Sequence, residues 1–253
     1  MDKIEILGIG ISCASSYDEV YMELINLIKK NVPAYVTVNN VHTIVQAVLE
    51  KQYGEILNNS ILSIPDGKPL SLIARIKGRK NISRIFGPTL MEYTLNKSRA
   101  DNISHFFFGS APSTLEQLKI NIQTKYPSIK IAGMISPPFR ELSGQENINF
   151  VEIINKSRAD IIWIGLGAPK QEKWIYQNYR KLNKGIMIGI GAGFDYVAGN
   201  TKHAPEWMKN MSLEWFYRLL QEPKRLWKRY LVTNTLFLFF LTLELFKLKK
   251  FKD

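Results

Sequence analysis

Eight short apolar runs recur along the chain with helical stretches between them, and this alternation limits the fold more than any other feature. The runs lie at residues 4–9, 34–38, 60–64, 84–86, 105–108, 129–132, 161–164 and 186–190 and are rich in Ile, Val and Phe. Between them apolar residues return every three or four positions, as in Val20, Leu24 and Ile28, or Leu115, Leu118 and Ile122. Helices are also expected over 41–53, 70–77, 90–97, 146–156 and 171–181. Ser16-x-x-Glu19 and Ser113-x-x-Glu116 read as capping boxes that open two helices. Strands alternating with helices in this way give a parallel sheet, because each crossover helix must cover a face. The expected body, residues 1–195, is therefore α/β: a Rossmann-like parallel sheet covered by helices on both faces.

Past Gly199 the strand signal stops, and aromatic and basic residues interleave in L-E-W-F-Y-R-L-L-Q-E-P-K-R-L-W-K-R-Y-L at 213–231. Pro223 is expected to end one helix and open the next, since proline is tolerated in a first helical turn. The apolar stretch 231–246 contains Asn234 and Glu244 and falls short of a membrane span, which takes ~20 mostly apolar residues. Trp227 and Tyr230 before it and lysines after it suit a helix lying at a membrane interface. A helix packed on the body or on a second subunit is the alternative. Residues 196–253 are thus expected to form a helical, basic, membrane-associating appendage.

With 253 residues, 45% of them apolar, the chain can bury a full core and need not be disordered. Its single cysteine, Cys13, rules out an intramolecular disulfide and fits a reducing compartment. The opening M-D-K-I-E-I-L lacks the basic-then-apolar layout of a leader, so a cytoplasmic location is expected. The net charge of +12 is concentrated late: from Arg218 to Lys252 nine Lys or Arg stand against only Glu222 and Glu244. Such a field draws polyanions, whether nucleic acid, anionic lipid or a phosphorylated substrate, and charge alone does not choose among them.

Several chemistries lack their residues. Seven aspartates include no D-x-D, the usual carboxylate pair of a metal–nucleotide site. His42, His105 and His203 show no metal-ligand spacing. G-x-S-x-G and the P-loop are absent, and Phe194 stands where G-x-G-x-x-G needs its third glycine. No metal and no cofactor are expected. What remains is polar chemistry at strand ends, where α/β sheets bind ligands. Thr37 and Asn39 close the second strand and Asp66, in S-I-P-D-G-K-P-L at 63–70, closes the third. Gly165, Gly167, Pro169 and Gln171 follow a late one, where glycines let backbone approach a ligand and a helix start offers N–H groups. Each has a plainer reading: Asp66 as a turn residue, Thr37 as a β-branched strand residue, Gln171 as a solvated first-turn side chain.

The segments V-T-V-N-N (36–40), P-D-G-K-P-L (65–70), G-L-G-A-P-K-Q-E-K-W (165–174), G-I-G-A-G-F-D-Y-V-A-G (189–199) and A-P-E-W-M (204–208) stand in that order, followed by the aromatic–basic run at 213–230. In that combination the chain resembles the WecG/TagA/CpsF family of bacterial glycosyltransferases almost end to end. The resemblance implies an inverting, metal-independent enzyme with a Rossmann-like body and a basic C-terminal appendage. It implies transfer of a sugar from a UDP-sugar to an undecaprenyl-diphosphate-linked saccharide, in biosynthesis of teichoic acid, capsule or exopolysaccharide. It would work as a peripheral protein on the inner face of the bacterial cell membrane. By position, Asp66 is similar to the family's general base, with Thr37 and Asn39 beside it, and Gln171 to a pocket glutamine that contacts sugar or nucleotide. Arg218 and Arg225 match appendage arginines that engage the diphosphate. His203 replaces the family's usual arginine before Ala-Pro, and Lys228 stands where some members carry arginine.

Physical chemistry fits these roles. Inverting transfer needs one base for the acceptor hydroxyl, so one carboxylate suffices. Without a metal, the charge on a departing UDP falls to cations and backbone N–H groups. Arg218 and Arg225 are seven apart and Arg225 and Arg229 four apart, a spacing that puts all three on one helical face unless Pro223 kinks it. The expected partners are a UDP-sugar, a polyprenyl-diphosphate-linked saccharide and an anionic membrane surface, without nucleic acid, and a homo-oligomer is left open. The rival from another class is a non-catalytic membrane-bound partner of another glycosyltransferase.

Overall fold

A computed structural model of the chain describes residues 1–211 and 213–251, so Ser212, Lys252 of the basic count and Asp253 lie outside the described residues. Six strands form one parallel sheet: β3 (Ala34–Asn39), β4 (Leu62–Pro65), β5 (Ser104–Gly109), β6 (Lys130–Ile135), β7 (Ile161–Gly165) and β8 (Ile186–Gly189). Their order is β4-β3-β8-β7-β5-β6. Successive side chains on a strand point to opposite faces, and two cores follow from that period. Val36, Phe107, Trp163 and Ile188 face a core completed by α1 (Tyr17–Lys29), α5 (Gly87–Lys97), α6 (Pro112–Lys125) and α9 (Gly193–Val197). Tyr35, Phe106, Phe108, Ile162 and Met187 face the other, under α7 (Gly144–Ser157) and α8 (Lys170–Asn178). The expected parallel sheet covered on both faces is observed, with six strands in place of the eight apolar runs.

His105 is wholly buried between these strands. Its Nδ1 accepts from Trp163 Nε1 at 3.1 Å, which leaves Nε2 to face Ser98 Oγ at 2.7 Å. Burial lowers its pKa to about 3, so it serves as a neutral core hydrogen-bonding group.

Several expected elements differ. The run at 4–9 is not a strand of the main sheet: β1 (Lys3–Ile6) and β2 (Ile9–Ser12) pair antiparallel as a separate hairpin. Leu7 and Gly8, at φ 51 and 78, take the two positive-φ positions that a tight hairpin turn requires. The run at 84–86 is not a strand either; residues there lie along the end of β4, with Ile85 N–H donating to Pro65 O at 2.8 Å. The helix expected over 41–53 breaks at Glu50, whose extended backbone separates α2 (Val41–Leu49) from α3 (Lys51–Asn58). Ser113 is not a cap: Pro112, with its fixed φ and no N–H, starts α6 one residue earlier. Ser16 does cap α1, but Glu19 reaches back to Ser15 rather than to Ser16, so the box is half-made.

The C-terminal run is helical. After the short α10 (Glu206–Asn210), α11 (Glu214–Gln221) and α12 (Pro223–Leu245) meet at Pro223, as expected. Phe237 and Phe240 of α12 enter a third core with the hairpin, α2, α3 and α4 (Lys68–Ile76). Glu244 fixes the far end of α12, accepting from Leu7 N–H at 2.9 Å and pairing with Lys77 at 2.6 Å. Packing on the body, the alternative for this helix, thus holds for one face. Elsewhere on the helix Leu231, Leu238 and Phe239 stay exposed, as does Phe246 just past its end.

Candidate active site

The carboxyl ends of β3, β4, β7 and β8 open into a cavity of about 1070 Å³ roofed by α11 and α12. Asp66 stands at its floor, one residue beyond β4. Its N–H donates to Asn39 O at 2.8 Å, and its Oδ1 accepts from Gly87 N–H at 2.9 Å. Gly87 is the first residue of α5, Asn40 caps α2, and Gly67 caps α4. Three helix N-termini therefore converge on one carboxylate, a field that favours its anion. Burial works the other way and wins: it raises the Asp66 pKa above the ordinary carboxylate value, against the pull of Arg84, the Gly87 N–H, the Asn40 side chain and Arg218. A carboxylate held high in this way suits proton abstraction.

Across the cavity stand Arg218 from α11 and Arg225 and Arg229 from α12. The break at Pro223 does not separate them, because Glu222 pairs with Arg225 and lies 3.7 Å from Arg218 Nε. Burial, with Arg225 and Arg218 beside it, depresses the Arg229 pKa, which marks a crowding of positive charge. Burial and Arg229 likewise lower His42, on the wall, to about 4, so it is neutral at pH 7. The arginines stand across from Asp66, with Asp195 and Glu214 also on the cavity lining. Lys228 does not join them, because it lies outside the cavity lining.

Thr37 and Asn39 are fully buried and lie beneath the floor, not on it. Asn39 Nδ2 donates to Thr37 Oγ1 at 2.9 Å and to Ser63 Oγ at 2.7 Å, which ties β3 to β4 under Asp66. Gly165, Gly167 and Gln171 do line the cavity. Gln171, however, is only 3% exposed and its amide is already engaged. Oε1 accepts from Gly167 N–H at 3.1 Å and Gly191 N–H at 2.9 Å, and Nε2 donates to Glu172 Oε1 at 2.7 Å. Glu172, 0% exposed, also accepts from Tyr53 OH at 3.1 Å. Gln171 thus fastens the loop after β7 to the loop after β8. Gln171→Ala would strand these groups, and an unsatisfied buried group costs about 1–3 kcal/mol. Urea unfolding should therefore show a loss of about 2–3 kcal/mol; a loss below about 1 kcal/mol would mean the loops are held by something else.

Sequence reasoning passed over Arg84, Glu214, Asn40 and His42. Arg84 sits in the run taken for a strand; its Nε donates to Asp66 O at 2.9 Å and its Nη2 to Glu214 Oε2 at 3.0 Å. Burial opposes ionisation of Glu214, but His203 and Arg84 outweigh it and hold the carboxyl below its usual range. His203 Nδ1 lies 3.5 Å from Glu214 Oε1, behind the cavity lining, with its ring 4.7 Å from that of Tyr196. The chain of contacts His203–Glu214–Arg84–Asp66 links the roof to the floor. Only the capping pattern at Asn40 had a local signal.

A buried carboxylate at the carboxyl edge of a parallel sheet, with a bank of cations across from it, is the kind of site that α/β group-transfer enzymes build. The glycosyl transferase WecG/TagA/CpsF family model matches residues 4–251, and the chain belongs to that family. It is 32% identical over 205 residues to an N-acetylglucosaminyldiphosphoundecaprenol N-acetyl-beta-D-mannosaminyltransferase of Bacillus subtilis (strain 168), covering 81% of this chain and 77% of that protein. A protein of the same name from Staphylococcus aureus (strain MW2) is 25% identical over 230 residues, 88% of this chain and 87% of its own.

Proposed function

We propose that this glycosyltransferase moves a sugar from a UDP-sugar to a saccharide linked to undecaprenyl diphosphate, with inversion and without a metal. The observation that carries the reading is the facing of Asp66, its pKa raised by burial, and Arg218, Arg225 and Arg229 across one cavity. Asp66 takes the proton of the acceptor hydroxyl as that oxygen attacks the anomeric carbon. The bond from that carbon to the UDP oxygen breaks on the opposite face, and the electron pair leaves on the diphosphate. The arginines meet that charge, which is greater in the transition state than in the bound donor. Gly165 and Gly167 leave backbone exposed to the donor, Gln171 sets their loop, and Thr37 and Asn39 brace Asp66 from below. The relatives' names make N-acetylmannosamine the first donor sugar to try and lipid-diphosphate-linked N-acetylglucosamine the first acceptor.

In this reading residues 1–195 are the catalytic body and 196–253 the appendage that closes it and meets the membrane. Among the described residues no helix is long and apolar enough to cross a membrane. The exposed Trp227, Leu231 and Phe239 of α12, with Lys224 and Lys228 close by in sequence, support a peripheral attachment to an anionic surface. The test is a panel of UDP-sugars with such an acceptor in the presence of a chelator. UDP release with at least one donor, unchanged by chelation, is expected. No release with any donor overturns the transfer reading, and release that returns only on adding a divalent cation overturns metal independence.

A further inference from the structure

The cavity has a second, chemically different end. Beyond the arginines it runs out between α4 and α12, where Leu72, Ile73 and Ile76 face Phe237, Leu238 and Leu241. Neither a UDP-sugar nor a saccharide offers an apolar surface to match these walls. Leu72 is 51% exposed, Ile76 68% and Leu238 63%, so large aliphatic side chains stand open along a groove continuous with the charged site. Thr233, on the way, adds no polar demand because its hydroxyl donates to Arg229 O at 2.8 Å. The walls are fixed: Ile73 and Phe237 share a core, and Lys77, at the end of α4, pairs with Glu244 of α12 at 2.6 Å. From Arg229 to Leu241 the groove follows α12 for about 18 Å at the ordinary helical rise.

An occupant that is anionic at one end and aliphatic at the other fits both halves at once. Resting on the reading of a lipid-diphosphate acceptor, we infer that the groove between α4 and α12 binds the first isoprene units next to the acceptor's diphosphate. The enzyme then grips the lipid by its chain as well as by its charge, and the groove aims the saccharide at Asp66. Membrane attachment is a separate property, carried by the opposite face of α12, where Phe239 is exposed and does not line the cavity.

The experiment uses soluble acceptors that share one sugar diphosphate and carry no isoprene unit or one, two, three or four, assayed with the full chain without vesicles. In the parent, kcat/KM is expected to climb about tenfold or more per unit while the groove fills, in keeping with burial of aliphatic carbons. In Leu72→Ser/Leu238→Ser the gain over the whole series should shrink to less than about tenfold, whereas Phe239→Ser should keep the parental slope. A flat parental series with turnover on every acceptor overturns the groove and leaves the transfer reading standing. No turnover on any acceptor overturns both. A slope flattened equally by Phe239→Ser assigns the effect to general apolar surface and overturns the groove. Self-association that Leu72→Ser/Leu238→Ser abolishes and the longest acceptor does not disperse would give the groove to a second copy of the chain, and would overturn it too.

Discussion

Asp66→Asn is expected to lower kcat by about a thousandfold or more, near the upper range for loss of a positioned base, with little change in KM for the donor. The asparagine keeps an oxygen for the Gly87 N–H, so the floor stays in place while the base is gone. Initial-rate kinetics with the responding donor check this, and turnover within tenfold of the parent would remove Asp66 from the chemistry. The pH dependence gives an independent readout. Asp66 must be ionised to act and burial raises its pKa, so kcat/KM should fall with decreasing pH at values above an ordinary aspartate's. Arg84→Gln removes a cation that opposes that rise, so the acid limb should move to still higher pH. A limb that stays put would show that another group sets it. Stability should follow the opposite sense from activity. A carboxyl whose folded pKa lies above its unfolded value stabilises the fold at low pH and loses that contribution as pH rises through the folded pKa. At neutral pH the Asn variant should therefore melt no lower than the parent.

Arg218→Gln is expected to cost about 10²–10³ in kcat, the scale of removing one preorganised donor from a developing anion. Arg225→Gln should do the same if the two act together, and Arg225→Lys should recover only part, because an ammonium lacks the two-pronged geometry of a guanidinium. Lys228→Gln supplies the control, since Lys228 carries the same charge outside the cavity. On a soluble acceptor without vesicles it should change the rate by less than about threefold, as exposed charges contribute little. Equal losses at Lys228 and Arg218 would mean that the general positive field, not the cavity, does the work. Deleting the residues after 211 is a blunter test, because it also takes Phe237 and Phe240 out of a core shared with the body.

Much of the sheet was legible because a parallel strand, covered on both faces, leaves a run of apolar β-branched residues with no polar interruption. The hairpin was not, because Leu7 is no turn former. Its left-handed backbone places a side chain that is 1% exposed in the third core. The end of β4 delivering Asp66 was likewise readable from Pro65-Asp66-Gly67, while Arg84 was hidden in the short run 84–86, whose apolar Ile85 and Phe86 read as a strand. Gln171 was found by position, yet its use was not: which partners an amide takes depends on two loops that meet only after β7 and β8 pair.

By itself the sequence determined the α/β layering, the helix break at Pro223 and the supply of a carboxylate at the end of a strand and of several late cations. These follow from periodicity, proline stereochemistry and charge, which are local properties of the chain. Tertiary structure alone decided that Arg218, Arg225 and Arg229 face Asp66 and Lys228 does not, and that Thr37 and Asn39 brace the floor from below. It also decided that α12 divides its apolar residues among a core, a groove and an open face. The reason is that α12 packs on α2, an element encoded far earlier in the chain. The rotation of a helix on such a surface fixes which of its side chains meet the carboxylate.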